Sequence, residues 1–410
     1  MFNENALKIV NEVEDECTEM FKKLEDICLY NQKKVLDAFR ENEVCLTDIA
    51  SSTGYGDDDR ARGKLSAVYA KAFGAEAGLV SPVLTSGTHT LTVALFGVLR
   101  PGDTMFSITG KPYDTLIGII FGEGNGSLRD FKINYEDVDL VDNDFDFAAI
   151  EKRMRELKPK MVYIQRSRGY TTRESLSIEK IEKVIKFVKN IQKDVIVMVD
   201  NCYGEFVEKR EPCDVGADLM AGSLIKNPGA GIAPTGGYIV GRSDLIELVS
   251  SRLIAPGIGM KLGSYAGSYT PFFQGAFSAP HVVLGALKGN ILFGKVAEKF
   301  GIKSFPHFGD MPHDIVRSIE FGDKDKLIDF CRLIQRLSPI DSNVVPFPWD
   351  MPGYDDQIIM ASGSFIQGSS IELSADGPIR EPYICYMQGG LTYEHLKIAA
   401  IEFATIYLNK

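Results

Sequence analysis

A turn of small hydroxyl residues, an aspartate and a lysine are the residues of this 410-residue chain whose types and spacing best suit chemistry. Ser86, Gly87 and Thr88 lie in SGTHT at 86–90, between a strand-like and a helix-like stretch. A helix N-terminus has free N–H groups and the positive end of a dipole, which suits a phosphate. Ser86 and Thr88 add hydroxyl donors, and Gly87 lets the backbone come close to a ligand; the same residues would also serve as a plain helix cap. Asp200, in VDNCYGEF at 199–206, ends an apolar run. A side chain at the carboxyl end of a parallel strand points into the ligand crevice. There a carboxylate can bind a metal, orient a histidine, pair with a pyridinium nitrogen, or cap the next turn. Lys226 sits between an apolar run and a glycine-rich loop in ADLMAGSLIKNPGAGIAPTGGYIVG at 217–241, with Ser223 three residues before it. An enclosed lysine can have its pKa lowered and become a Schiff-base nucleophile, whereas one on an open turn is only a surface charge.

The elements that must position these residues follow from periodicity. AGLVSPVLT (77–85), DTMFSITG (103–110), KMVYIQ (160–165), DVIVMVDN (194–201) and GGYIVG (236–241) read as strands. THTLTVALFGVLR (88–100) and IEKIEKVIKFVKNI (178–191) read as helices. This alternation predicts a mainly parallel sheet covered by helices. Upstream, Val10, Val13, Cys17, Met20, Leu24 and Ile27 step by three and four, the face of an amphipathic helical arm packed on its own subunit or a partner. After about residue 245 the texture becomes irregular, rich in Gly and aromatic residues. Helical periodicity returns at 324–338 and 393–408, which predicts a smaller C-terminal α/β domain. The expected division is an arm at 1–50, a large domain at 51–275 and a small domain at 276–410.

Composition limits the partners. A net charge of −11 argues against broad attraction to nucleic acid or anionic membranes, though not against a local anion pocket. Neither a signal peptide nor a membrane-spanning helix is expected, and seven scattered cysteines without a CxxC pair fit a reduced, cytoplasmic chain. Asp142, Asp144 and Asp146 mimic the start of a calcium loop, but Phe147 and Arg153 stand where glycine and glutamate are needed. The five histidines have no ligand spacing, so no catalytic metal is expected. Gly122, Gly124 and Gly126 read as a loop, since no strand-to-helix junction surrounds them.

Taken together, a phosphate-type turn, a strand-terminal aspartate and a lysine 26 residues later follow the order used by pyridoxal 5′-phosphate (PLP) enzymes of the aspartate-aminotransferase fold. More of the chain carries a closer likeness. GYGDDDRARGKL, SGTHTLTVALFGVLRPGD, TGKPYDTL, IQRSRGY, DNCYGEFVE, AGSLIKNPGAGIAPTGGYIVGR, APGIG, PWDMPGYDDQIIMASGSFIQG and IELSADGPIREPYICYMQGGLTYEH resemble the methionine gamma-lyase family. This family is also called aluminium-resistance or cystathionine beta-lyase-like.

The resemblance implies fold type I, with a mainly parallel seven-stranded large sheet, and a PLP-dependent carbon–sulfur lyase acting on an amino acid such as methionine or cystathionine. Lys226 resembles the lysine that holds PLP as a Schiff base, and Asp200 the acid that pairs with the ring nitrogen. Ser86, Gly87, Thr88 and Ser223 match the phosphate site, and Tyr113 the aromatic residue stacked on the ring and a candidate proton donor. Tyr55 and Arg60 are similar to a pair that reaches the neighbouring subunit's phosphate, although GYGDDDR departs from the wider Tyr-x-Arg pattern. Arg380 stands where an arginine holding the substrate carboxylate is expected, with Arg166 and Arg168 competing. Shared sites imply a homo-oligomer, a catalytic dimer paired into a tetramer. Transamination, racemisation, or a non-catalytic metal-stress binder remain open alternatives.

Overall fold

The computed structural model describes residues 2–51, 53, 59–171, 173–263, 265–307, 309–351 and 355–409. The arm is two helices rather than one, α1 (Glu4–Glu16) and α2 (Thr18–Glu41), followed by the short α3 (Leu46–Ile49). Asn3 caps α1 by accepting the N–H groups of Asn5 and Ala6. At Cys17 the backbone tightens, its N–H reaching Glu14 O, and α2 starts a residue later. The apolar stripe survives the break, because Val10, Val13, Cys17 and Leu24 are all buried.

The large domain then alternates. In order come α4 (Arg60–Ala72), β1 (Ala77–Ser81), α5 (Gly87–Val98), β2 (Thr104–Ser107), α6 (Asp114–Phe121), β3 (Asn134–Asp137), α7 (Phe147–Leu157) and β4 (Met161–Gln165). They are followed by α8 (Ile178–Ile191), β5 (Ile196–Asp200), β6 (Leu219–Ser223), β7 (Gly237–Gly241) and α9 (Ser243–Leu253). The seven strands run β1-β7-β6-β5-β4-β2-β3. Only β7 opposes its neighbours; the rest are parallel, as expected. The strands β4 to β7 are buried along their whole length, which is why they read as unbroken apolar runs. Register sets Gln165 beside Asp200 and Asp200 beside Ala221, so the carboxyl ends of β4, β5 and β6 form one edge. Among the rejected signals, Asp146 caps α7, and the glycines at 122–126 lie in a loop in which Asp130 accepts the N–H groups of Gly124 and Gly126.

The irregular texture after residue 245 contains the 30-residue helix α10 (Thr270–Lys299). Beyond it come β8 (Lys303–Phe305), β9 (Val316–Glu320), α11 (Lys324–Leu337), β10 (Ile358–Ser362), β11 (Ser374–Pro378), β12 (Ile384–Gln388) and α12 (Tyr393–Leu408). The second sheet, β10-β11-β12-β9-β8, is wholly antiparallel. Residues 275 and 276 both lie inside α10, and one hydrophobic core joins the arm, α10, one face of the large sheet and the small domain. The arm packs on α10 and α12 of its own chain. Among the described residues no helix is long and apolar enough to cross a membrane.

Glycines in α10 serve contact, not termination. A Cβ on Gly289 would lie 2.4 Å from Leu396 Cβ, and one on Gly294 would lie 2.2 Å from Arg317 Nη1. A Cβ on Gly275 would lie 2.6 Å from the carbonyl oxygen of Gly229, in the tight turn that follows Lys226. Backbone cannot rotate away as a side-chain end can. Gly275→Ala is therefore expected to lower unfolding free energy by about 1–3 kcal/mol despite alanine's better helix propensity. Denaturant unfolding checks this, and an unchanged midpoint would refute it.

Candidate active site

Ser86 caps α5 and accepts the N–H of His89 at 3.0 Å, while its carbonyl accepts Thr90 N–H. The N–H groups of Gly87 and Thr88 have no acceptor among the described residues. His89 turns back from the cleft, its Nδ1 accepting Thr85 N–H at 3.2 Å. The Thr88 hydroxyl lies 2.9 Å from Tyr113 OH and 3.0 Å from Thr115 Oγ1. Tyr113 begins α6 and is fixed from behind, its N–H donating to Gln165 Oε1 at 2.9 Å. Burial, then the Asp200 charge, pushes its phenol up to about 12, so at neutral pH it carries its proton.

Asp200 ends β5 and is buried. Its Oδ1 accepts Cys202 N–H at 3.1 Å and its Oδ2 accepts Tyr163 OH at 3.4 Å. Ser223 ends β6 and faces the phosphate-type turn: a Cβ on Gly87 would lie 3.6 Å from Ser223 Cβ, 3.7 Å from Cys202 Sγ and 4.0 Å from Lys226 Nζ. A glycine thus keeps that space open between the turn, the thiol and the amine.

Lys226 follows in a turn held from below. Asn227 Nδ2 donates to Glu205 O at 3.0 Å, Tyr69 OH donates to Pro228 O at 3.1 Å, and a Cβ on Gly229 would lie 1.7 Å from Leu224 O. The lysine Nζ has no hydrogen-bond partner among the described residues and lies 4.0 Å from the centroid of the Tyr203 ring. Burial pulls its pKa down, but the surrounding Cys202, Tyr203, Tyr113 and Asp200 more than reverse that, and the net direction is upward. Burial raises both the Cys202 thiol and the Tyr113 phenol. Once Nζ has taken up a proton, these surroundings favour keeping it.

The three arginines separate clearly. Arg166 is fully buried and saturated: it donates to Asn201 Oδ1, Gly204 O, Leu176 O and Glu208 Oε1. It pins the loop after β5 and is committed there. Arg168 reaches the small domain, donating to Ser318 Oγ at 3.1 Å and lying 3.8 Å from Asp314. Arg380, after β11, is more than half exposed and donates to Asp356 at 3.1 Å. Both Arg168 and Arg380 act on the Tyr386 phenol, which burial raises to about 12 and they pull back. Arg60 starts α4 and is tied to the arm through Asp48 at 3.2 Å; Tyr55 lies outside the described residues.

The structure thus brings Ser86, Gly87, Thr88, Tyr113, Asp200, Ser223 and Lys226 to one edge of the large sheet. It adds Gln165, Thr115, Cys202 and Tyr203, which sequence reasoning missed. Asn, Tyr and Cys next to Asp200 were visible in VDNCYGEF, but nothing in the string marks which of them turns inward.

The small sheet faces this edge. Its register aligns Asp376, Tyr386 and Ser318 across three strands. Tyr170 OH donates to Asp376 Oδ2 at 2.8 Å, and the Tyr170 and Tyr386 rings are 5.1 Å apart. Burial pushes the Asp376 carboxyl up to about 7, and the Tyr170 hydrogen bond offsets part of this. The folded protein therefore keeps a proton that the unfolded chain releases near its ordinary pKa of about 3.9. The associated stability is complete below that value and is lost as pH rises through 7. From about pH 5 to about pH 8, the native chain should lose about 2 kcal/mol more unfolding free energy than Asp376→Asn. Urea titrations at both pH values measure this; equal losses would contradict it.

The chain is similar to known proteins over nearly its whole length. The family model described as methionine gamma-lyase matches residues 6–407. YnbB of Bacillus subtilis, described as uncharacterized, is 52% identical over 407 residues, 98% of this chain and 96% of that protein. The crystal structure of a carbon–sulfur lyase involved in aluminum resistance from Clostridium novyi NT is 51% identical, with a TM-score of 0.94 over 99% of this chain and 96% of that one. The pyridoxal-5′-phosphate-dependent protein YhfS from Escherichia coli is 16% identical, with a TM-score of 0.64 over 93% of this chain and 97% of that one. At that identity the likeness shows the fold, which is fold type I.

Proposed function

We propose that this chain, which belongs to the methionine gamma-lyase family, is a PLP-dependent carbon–sulfur lyase that eliminates a thiol from a sulfur-containing amino acid such as methionine or cystathionine. The observation that carries this reading is the convergence of Lys226, Asp200 and the open turn at Gly87 on one sheet edge.

The donor set fits the cofactor. The N–H groups of Gly87 and Thr88 and the hydroxyls of Ser86, Thr88 and Ser223 suit its phosphate. Lys226 offers an amine without a hydrogen-bond partner among the described residues, and Tyr113 an aromatic face. When bound, PLP supplies an electron-poor ring that stabilises negative charge at the substrate Cα.

The rest falls to the chain. Asp200 holds a proton on the ring nitrogen. Lys226, released as a neutral amine, takes the Cα proton at Nζ and so becomes an ammonium. Tyr113, protonated at neutral pH, gives its hydroxyl proton to the departing sulfur. Arg168 or Arg380 holds the substrate carboxylate, and the saturation of Arg166 favours these two. Tyr55 and Arg60 reach the neighbouring subunit's phosphate in a catalytic dimer, itself paired into a tetramer.

The test is direct. Purified protein should carry a visible chromophore that borohydride bleaches, and cystathionine, methionine or cystine should yield pyruvate or 2-oxobutyrate with ammonia. With no ammonia, a 2-oxo acid that keeps the sulfur would point to transamination, and an inverted amino acid to racemisation. A protein with no reducible chromophore would overturn the reading.

A further inference from the structure

Tyr203 stands three residues past Asp200 in a backbone conformation that large side chains avoid, with φ at +73°. A left-handed tyrosine costs about 1–2 kcal/mol and persists only where its surroundings over-determine it. Here they do. Asn201 and Gly204, on either side, are both gripped by Nη1 of the buried Arg166, at 2.8 and 2.9 Å. A Cβ on Gly204 would lie 2.5 Å from that same nitrogen, so the grip requires glycine there. Asn201 is tied further to Glu211 at 2.9 Å.

This strained loop has a specific product. The face of the Tyr203 ring lies 4.0 Å from Lys226 Nζ. The ring also packs beside Val316, Ile384 and Tyr386 of the small sheet, and its hydroxyl accepts Ser370 Oγ at 3.3 Å. One residue therefore touches both the site lysine and the small domain. An ammonium over an aromatic face is attracted by the ring quadrupole, most strongly where water is excluded.

We propose that Tyr203 is a positioning residue for Lys226: its ring face holds the amine in place once it has taken a proton. The inference rests on the reading of Lys226 given above. The charged and titratable groups that also face Lys226 are Asp200 at the end of β5, Cys202 and Glu205 in the following loop, and Tyr113 at the start of α6. They are common to all the variants below.

The experiment strips the cofactor from the full-length chain with hydroxylamine. It then measures the pH dependence of Lys226 carbamylation by cyanate, read by mass spectrometry of the peptide carrying Lys226. Tyr203→Phe should leave the midpoint nearly where it is. Phenylalanines of increasing fluorination at position 203 keep the ring's shape while draining its quadrupole, and should lower the midpoint stepwise by about one pH unit in total. Tyr203→Leu should fall at least as far, and Tyr203→Trp should stay at or above the native value. A midpoint flat across the fluorinated series overturns the proposal, since a purely structural ring would give that result. If any member fails to fold by circular dichroism, the Trp and Leu pair decides: equal midpoints overturn it. The bleachable chromophore tests the lyase reading separately, so a coloured protein with a flat series sinks only the role of Tyr203.

Discussion

Lys226→Ala is expected to cut thiol elimination by about four orders of magnitude or more, the largest single loss in the chain, because one residue serves twice. Its Nζ lies beside the open space at Gly87, and it would take the Cα proton as well as anchor the cofactor. The turn that presents it is fixed by Asn227, Pro228 and the contact of Gly229 with Leu224, none of which depends on the lysine side chain. The variant should therefore fold, bind cofactor reversibly and show no borohydride-stable label at position 226. Small amines such as methylamine should restore part of the rate by supplying a base in solution. Retention of more than about one-tenth of the activity would remove Lys226 from the mechanism.

Asp200→Asn should cost about 10²- to 10³-fold in turnover, or about 3–4 kcal/mol, with little change in stability. Asparagine keeps the shape, and its oxygen can still accept the Cys202 N–H. What disappears is the charge in a buried site, and with it the means of holding a proton on the ring nitrogen. The sign of two side effects follows. Asp200 raises the phenol of Tyr113 and the amine of Lys226, so both should titrate lower in the variant. Turnover against pH, together with the cofactor's visible spectrum, reads all three effects. An Asn variant with native turnover and an unshifted profile would contradict the assignment of Asp200.

The site was legible in the sequence wherever a strand end or a helix start carried its chemistry. Ser86, Asp200, Ser223 and Lys226 each sit at such a boundary, and the order of the boundaries limits where they can meet. Residues placed by tertiary contact were not legible. Tyr203 faces inward because Arg166 forces its neighbours, and Gln165 matters because its side chain reaches Tyr113, 52 residues away. Arg166 and Arg168 look alike as text, and only the saturation of the first separates them. Periodicity marked β1, β2, β4, β5, β7, α5, α8, α11 and α12, but not β3, α4, α6, α7, α9 or the strands of the small sheet, and it misled in two places. Cys17 divides a continuous apolar stripe with a single tight turn. The helix α10 hides behind Gly275, Gly285, Gly289, Gly294 and Pro280, residues that usually end helices. In α10, contacts such as those of Gly275 with Gly229 and Gly289 with Leu396 leave no room for a Cβ.

Those contacts make α10 a common back wall. Gly275 bears on the turn behind Lys226 and Gly294 bears on Arg317 of the small sheet, roughly 28 Å further along the helix. The lysine turn and the small sheet thus rest on one unbroken element, with no loop between their supports.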